Sequence, residues 1–366
     1  MRWPACLLLG FWVAAAQQSD TAEVLRRALA AQQRRDFVEA IKDFRLVLEK
    51  RPDLTEVRLH LAAALTEMGR LDEAISVLEP ASGKPGVRRN LAIAYYRLNN
   101  LPAAIRELER LDAAESADPQ IQRVLVDCYL RAGTPAKALR LIEPLAKSHP
   151  TDAALQYQLG VARIRSGAPA DSLEPLELAG KRGRMADAYL LAGATALELG
   201  QMQRARDDLE KAVAIDPKIP GVWTWTGMAR DRVSDEEGAK QAYRNALELD
   251  PRDFEANLHL GAILYRERNM AAAKPLLDRA LSLQPKSSLA LYALALVRAA
   301  MNEIDQAVQD LERVTVSEPE WLEPHVKLAS LYFRVHREPE ARREQELVEK
   351  LRTEHRDKKV PLPEMR

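Results

Sequence analysis

The sequence predicts an all-α protein built as a long array of antiparallel helix pairs, and three observations predict it. A small residue recurs at Ala40, Ala74, Ala104, Ala138, Ser172, Ala205, Ala239, Ala273, Ala307 and Ala341, at spacings of 34, 30, 34, 34, 33, 34, 34, 34 and 34. Twelve residues before each stands another compact residue: Ala28, Ala62, Ala92, Val126, Gly160, Gly193, Gly227, Gly261, Ala295 and Ala329. Twelve residues after most of them stands a proline: Pro52, Pro150, Pro217, Pro251, Pro285 and Pro319. A fixed period carried by several columns together marks a repeat architecture, in which each unit buries its apolar face against its neighbours. The length points the same way, because 366 residues exceed what one ordinary compact core holds.

Each element of the repeat has a physical reason. Apolar residues fall at helical spacing in two stretches, as in Leu260, Ile263 and Leu264 followed by Leu276, Leu277 and Leu281. The two small-residue columns let paired helices approach closely. Between the helices the chain offers Gly69, Asn99, Gly133, Gly167, Gly200 and Asn302, residue types that tolerate the left-handed conformation ending a helix. The proline then stops the second helix. Asp53 followed by Glu56 reads as a capping pair for the next helix start.

Three segments depart from the pattern. The 30-residue spacing lacks about one helical turn, and Glu79–Gly86 holds two prolines and two glycines, which predicts a shortened helix, a tight turn and a local change of pitch. The fifth copy has Ser172 for alanine, Pro175 within its second helix and a loop Lys181-Arg182-Gly183-Arg184 in place of the proline. The last copy is heavily charged from Pro339 onward, as a terminal cap needs, and a frayed tail is expected over residues 356–366.

The columns resemble the tetratricopeptide repeat, with a small residue at position 8, alanine at 20, a large apolar residue at 24 and proline at 32. The resemblance covers about residues 21–355 as ten repeats: 21–54, 55–84, 85–118, 119–152, 153–185, 186–219, 220–253, 254–287, 288–321 and 322–355. The family's aromatic at position 4 is matched only by Trp223, with Tyr189 a weaker substitute. The resemblance implies a right-handed α–α superhelix whose first helices line a concave face at positions 2, 5, 9, 12 and 13. Carried over, the aromatic candidates for that face are Tyr96, Tyr157, Tyr265, Tyr292 and Phe333. Position 13 is arginine in six repeats, Arg97, Arg131, Arg165, Arg232, Arg266 and Arg334. A line of guanidinium groups suits an extended acidic peptide or another anionic chain. The same arginines also stand near helix C-termini, where a cation is favoured for structural reasons alone. No asparagine occupies position 9, which argues against the family's clamp for C-terminal carboxylates.

Residues 1–16 read as a cleavable secretion signal: Arg2, an apolar stretch from Ala5 to Val13, and Ala14-Ala15-Ala16 before Gln17. The stretch is well short of the roughly 20 residues that span a bilayer. Removing it leaves 53 basic and 54 acidic residues over residues 17–366, a balance that gives no support to nucleic-acid binding. Cys128 would then be the single cysteine, within a predicted helix. The six histidines form no i, i+4 zinc pair, and neither a nucleophile elbow nor a phosphate loop is present. The expectation is therefore an exported binding scaffold with no catalytic site, no cofactor and no metal, periplasmic or extracellular in a bacterium, contacting a protein or peptide partner. The alternative is a structural spacer or an assembly subunit of envelope or secretion machinery, acting through its outer face or ends.

Overall fold

The computed structural model describes residues 6–84, 86–111 and 116–358, with side chains from 20 to 354. The described residues are helical throughout, with no strand. Contacts divide the chain into two compact units, Met1–Pro175 and Leu176–Arg366. The first holds α1 (Cys6–Gln33), α2 (Phe37–Lys50), α3 (Thr55–Glu67), α4 (Leu71–Leu78), α5 (Val87–Arg97), α6 (Leu101–Leu108), α7 (Pro119–Arg131), α8 (Pro135–Ser148) and α9 (Ala153–Arg165). Helix α10 (Leu173–Gly183) spans the division. The second unit continues with α11 (Ala186–Glu198), α12 (Met202–Ile215), α13 (Val222–Arg232), α14 (Glu236–Leu249), α15 (Phe254–Arg266), α16 (Met270–Leu283), α17 (Ser288–Ala300), α18 (Ile304–Ser317), α19 (Leu322–Arg334) and α20 (Glu338–Lys358).

Every residue of the first column, from Ala40 to Ala341 and including Ser172, is fully buried. The second column is buried too. Three of its members explain their identity: a Cβ on Gly193, Gly227 or Gly261 would lie 2.6, 2.6 and 2.7 Å from Leu209, Tyr243 and Leu277. Each of those partners is the apolar residue at position 24 of the same repeat. The prolines of the third column each fall two residues beyond a helix end, as Pro217 does after Ile215 and Pro285 after Leu283.

The interhelical turn is the same in all ten copies. Gly69, Asn99, Gly133, Gly167, Gly200 and Asn302 have positive φ as expected, and so do Arg35, Ser234, Arg268 and His336 at the same position. The next residue donates its N–H back to the first helix, as Asn269 does to the Leu264 carbonyl at 2.8 Å, closing the six-residue C-terminal motif. Four copies thus hold an ordinary side chain in a strained backbone. Arg268→Gly is expected to raise stability by about 0.5–1 kcal/mol, since relief of the left-handed penalty outweighs glycine's greater unfolded entropy. Denaturant midpoints of the two proteins check it.

The departures resolve individually. Helix α4 ends at Leu78, after 8 residues against 14 in α2, and passes through a 3₁₀ turn (Glu79–Ala81) to the left-handed Gly86. Pro85 lies outside the described residues. Helix α6 is also only 8 residues long, which the intact 34-residue spacing around it did not signal. Pro175 does not interrupt a helix. The second helix of repeat 5 opens as a 3₁₀ turn (Pro169–Ser172), so Pro175 falls in the first turn of α10, where a missing N–H costs little. The expected loop at 181–184 is also corrected: Lys181, Arg182 and Gly183 finish α10, and only Arg184 turns, at φ 50°. Asp53 does not cap α3. The cap position is Leu54, and Asp53 instead accepts two hydrogen bonds from Arg51 at 2.8 and 2.9 Å.

The leader reading falls partly on residues 1–5, outside the described residues, and the backbone beyond them is helix α1. Most of the expected tail, 359–366, also lies outside them, while α20 runs to Lys358. Its buried Val348 and Leu351 pack on Leu322 and close the end of the second unit. No helix among the described residues is long and apolar enough to cross a membrane.

Candidate functional site

Five of the six position-13 arginines reach back to the repeat before their own. Arg97 donates to the Thr66 carbonyl and pairs with Glu67, both at 3.4 Å. Arg131 donates to Asn99 Oδ1, stands 5.5 Å from the Tyr96 ring centre and bonds Asp127 at 3.4 Å. Arg165 donates to the Leu130 carbonyl at 2.6 Å. Arg266 pairs with Asp231 and Glu236, both at 3.4 Å, and Arg334 donates to Asn302 Oδ1 at 3.2 Å. Two of the acceptors, Thr66 and Leu130, are backbone carbonyls that a helix C-terminus leaves over, and the rest are side chains at or beside the turn that follows. The column serves as a clasp between successive repeats. Arg232 is the exception. Its exposed guanidinium has no hydrogen-bond or ion-pair partner among the described residues.

Arg232 opens onto a cavity of about 720 Å³ within the second unit. Helix α13 contributes Asp231 and Arg232, at positions 12 and 13. Helix α15 contributes Leu258, Ala262, Tyr265 and Arg266, at positions 5, 9, 12 and 13. Helix α17 contributes Leu289 and Leu296, at positions 2 and 9. Those are the positions expected to line a concave face, and here they converge. Further wall comes from loops that the sequence reasoning passed over, Lys286 and Ser287 before α17 and Glu318 and Trp321 before α19, with Ser288 at the first position of α17. The volume lies within the range of about 300–1,000 Å³ typical of ligand pockets.

The pocket has an apolar floor and a charged rim. The His259 ring stacks on buried Tyr243 at 5.5 Å and 8°, which fixes that wall. Trp321 packs on Tyr292 with ring centres 4.7 Å apart, and its buried indole N–H has no hydrogen-bond partner among the described residues. Tyr292 is only 5% exposed, so it supports the site from below rather than facing a partner, and burial pushes its hydroxyl up to about 12. On the rim, Arg266 is held by Asp231 and Glu236, and Glu318 accepts from Ser288 Oγ at 3.4 Å. The Lys286 side chain, like that of Arg232, has no partner among the described residues.

The other aromatic candidates differ in setting. Half-buried Tyr96 donates to Asp127 Oδ2 at 2.8 Å, Tyr157 is half-buried, and Phe333 is exposed on α19. Of the residues singled out from sequence, the pocket brings together Arg232, Arg266 and Tyr265. Cys128 is fully buried, and desolvation pushes its thiol up to about 11, the setting of a small core residue. Among the described residues, no group of three or more histidines, cysteines or carboxylates is placed to hold a metal ion.

Sequence reasoning also missed a set of acids at position 23 that face the first helix of their own repeat. Asp43 accepts from Arg27 at 2.5 and 2.6 Å, which holds its carboxyl below the usual range. Asp310 accepts from Arg298, and Glu344 pairs with buried His325 at 2.6 Å. Glu107 likewise stands 3.7 Å from Arg88, whereas Asp208, at the same position, accepts from Lys211 of its own helix at 2.8 Å, and burial raises its carboxyl above the ordinary value. Nothing in a chain with 30% charged residues distinguished these acids from solvated ones.

Stacked helix hairpins with a lined groove define an α-solenoid, a class that generally acts as a non-catalytic binding scaffold. The chain belongs to the tetratricopeptide-repeat family: models described as tetratricopeptide repeat match residues 28–84, 89–143, 129–182, 186–219, 227–288 and 289–320. Among solved structures it is similar to the C-terminal part of a TPR repeat-containing protein from Cytophaga hutchinsonii, at 18% identity and a TM-score of 0.51, covering 62% of this chain and 94% of that one. That likeness concerns the fold alone. Among curated proteins it is similar to the probable biofilm formation methyltransferase WspC of Pseudomonas putida, 35% identical over 92 residues, and to anaphase-promoting complex subunit 3 of Schizosaccharomyces pombe, 24% identical over 145. The matched stretches are 25% and 40% of this chain and only 22% of each relative.

Proposed function

We propose that the protein is an exported, non-catalytic scaffold that holds an extended or helical segment of a partner protein in the groove lined by its first helices. The observation that carries this reading is the pocket at repeats 7 to 9, where groove positions from three successive first helices converge with Trp321 around one cavity. Solenoids of stacked helix pairs present such concave surfaces to peptides. A spacer or assembly subunit working through its outer face would leave the groove bland. Aromatic and unpaired cationic side chains clustered in one cavity favour binding instead. Export rests on the Arg2, Ala5–Val13 and Ala14–Ala16 pattern. N-terminal sequencing of the native protein is expected to begin near Gln17, and an intact Met1 would overturn it.

The binding reading is tested by filling the cavity. Ala262 lines it from the middle helix, so Ala262→Trp blocks it with little disturbance elsewhere. Proteins that co-purify with the wild-type chain should be lost from a correctly folded Ala262→Trp chain. Their undiminished recovery would show that partners bind elsewhere.

A further inference from the structure

The pocket's chemistry specifies more than a peptide. Resting on the proposal that the groove holds a partner segment, we infer that this pocket takes an acidic segment, seating one large apolar side chain on its floor with an adjacent carboxylate between Arg232 and Lys286. The floor is the first half of the argument. Leu258, Leu289, Leu296, Tyr265 and Trp321 wall a cavity large enough for a bulky side chain, and burying one there removes apolar surface from water on both partners. Aromatic residues flanked by arginine are the usual composition of energetic hot spots.

The rim is the second half. The column that supplies Arg232 is used elsewhere as a clasp, and each of its five other members has an acceptor in the preceding repeat. Arg232 has none among the described residues. The repeat before it carries Gly200 at the turn, where the repeats before Arg131 and Arg334 carry Asn99 and Asn302. Lys286 is likewise unpaired beside the same cavity. Two unpaired cations at the mouth of an apolar cavity act in a lower effective dielectric than bulk water, which strengthens attraction to an anion. A guanidinium offers a carboxylate two parallel hydrogen bonds. A polyanion such as nucleic acid fits less well, because Asp231 and Glu318 stand on the same rim and the chain as a whole is not basic.

The experiment is selection of a random-peptide phage library on the purified full chain, followed by binding of the selected peptides, fluorescently labelled, to three variants. The expected result is enrichment of aspartate and glutamate next to a leucine, phenylalanine or similar residue. Those peptides should lose binding to Ala262→Trp, weaken at least tenfold on Arg232→Glu with Lys286→Glu, and weaken as salt rises. Both rim residues are exposed, so that double variant keeps its fold, checked by helicity. Peptides that need the open cavity but show no acidic preference, or bind the rim variant unchanged, would overturn the acidic assignment and leave the groove reading standing. Peptides indifferent to Ala262→Trp, or a library that yields no binders, would overturn both.

Discussion

Replacing Tyr243 by alanine should cost about 3–5 kcal/mol, the range for truncating a large, fully buried aromatic side chain. The ring is completely buried, rests on Gly227 where a Cβ would come within 2.6 Å, and stacks on His259. Its loss opens a cavity between the helices of repeat 7 and frees the His259 wall of the pocket. Gly227→Ala attacks the same contact from the other side, and overpacking there should cost about 1–3 kcal/mol. The remedy is visible elsewhere in the chain, where alanine at position 8 faces leucine at position 24: Ala62 with Leu78, Ala92 with Leu108, Ala295 with Leu311. The double variant Gly227→Ala, Tyr243→Leu should therefore be much more stable than the sum of its single changes, a coupling that denaturation of all three chains measures.

The second large effect is expected at Arg298. Its guanidinium bonds Asp310, whose side chain is only 6% exposed, and pairs with Asp278 at 3.5 Å. Removing one partner of a buried pair leaves an uncompensated charge, at a cost of about 3–5 kcal/mol, reduced here because Arg313 remains 4.0 Å from Asp310. Burial already raises the Asp310 carboxyl, with Arg298 opposing it. A carboxyl raised in the folded state makes the fold more stable where it is protonated, and that stability is lost as pH rises through its folded value. The Arg298→Ala defect should accordingly be largest at neutral pH and shrink toward the carboxylate range. Asp310→Asn added to it should recover part of the loss. Hydrogen exchange should place the damage in repeats 8 to 10, because repeat arrays lose stability locally. An equal loss at all pH values would contradict the charge argument.

The fold was legible because each repeat writes its punctuation at fixed places. Alanine is demanded where helices cross, and proline where the second helix has ended. The turn was legible only in part: Gly and Asn marked six copies, but Arg35, Ser234, Arg268 and His336 take the same left-handed backbone, imposed by the stacking of neighbours rather than by the residue's own preference. The site was half legible. Groove positions named Tyr265, Arg232 and Arg266, yet Lys286, Glu318 and Trp321 enter from loops that no helical periodicity addresses. The arginine column could be read, but its use could not. Whether a guanidinium is free depends on what the preceding helix end offers it, which is a property of the fold and not of the column.

The central claim is that a partner segment occupies the cavity at repeats 7 to 9. The most direct measurement places a photoreactive amino acid at Leu289, inside the cavity, and in a second chain at Val316, which is 83% exposed on α18 and outside it. Each chain is irradiated in the cells that make the protein. Covalent adducts to a second protein at Leu289, absent at Val316 and abolished by Ala262→Trp, are the predicted result. Adducts at Val316 with none at Leu289 would contradict the account and assign the partner to the outer face.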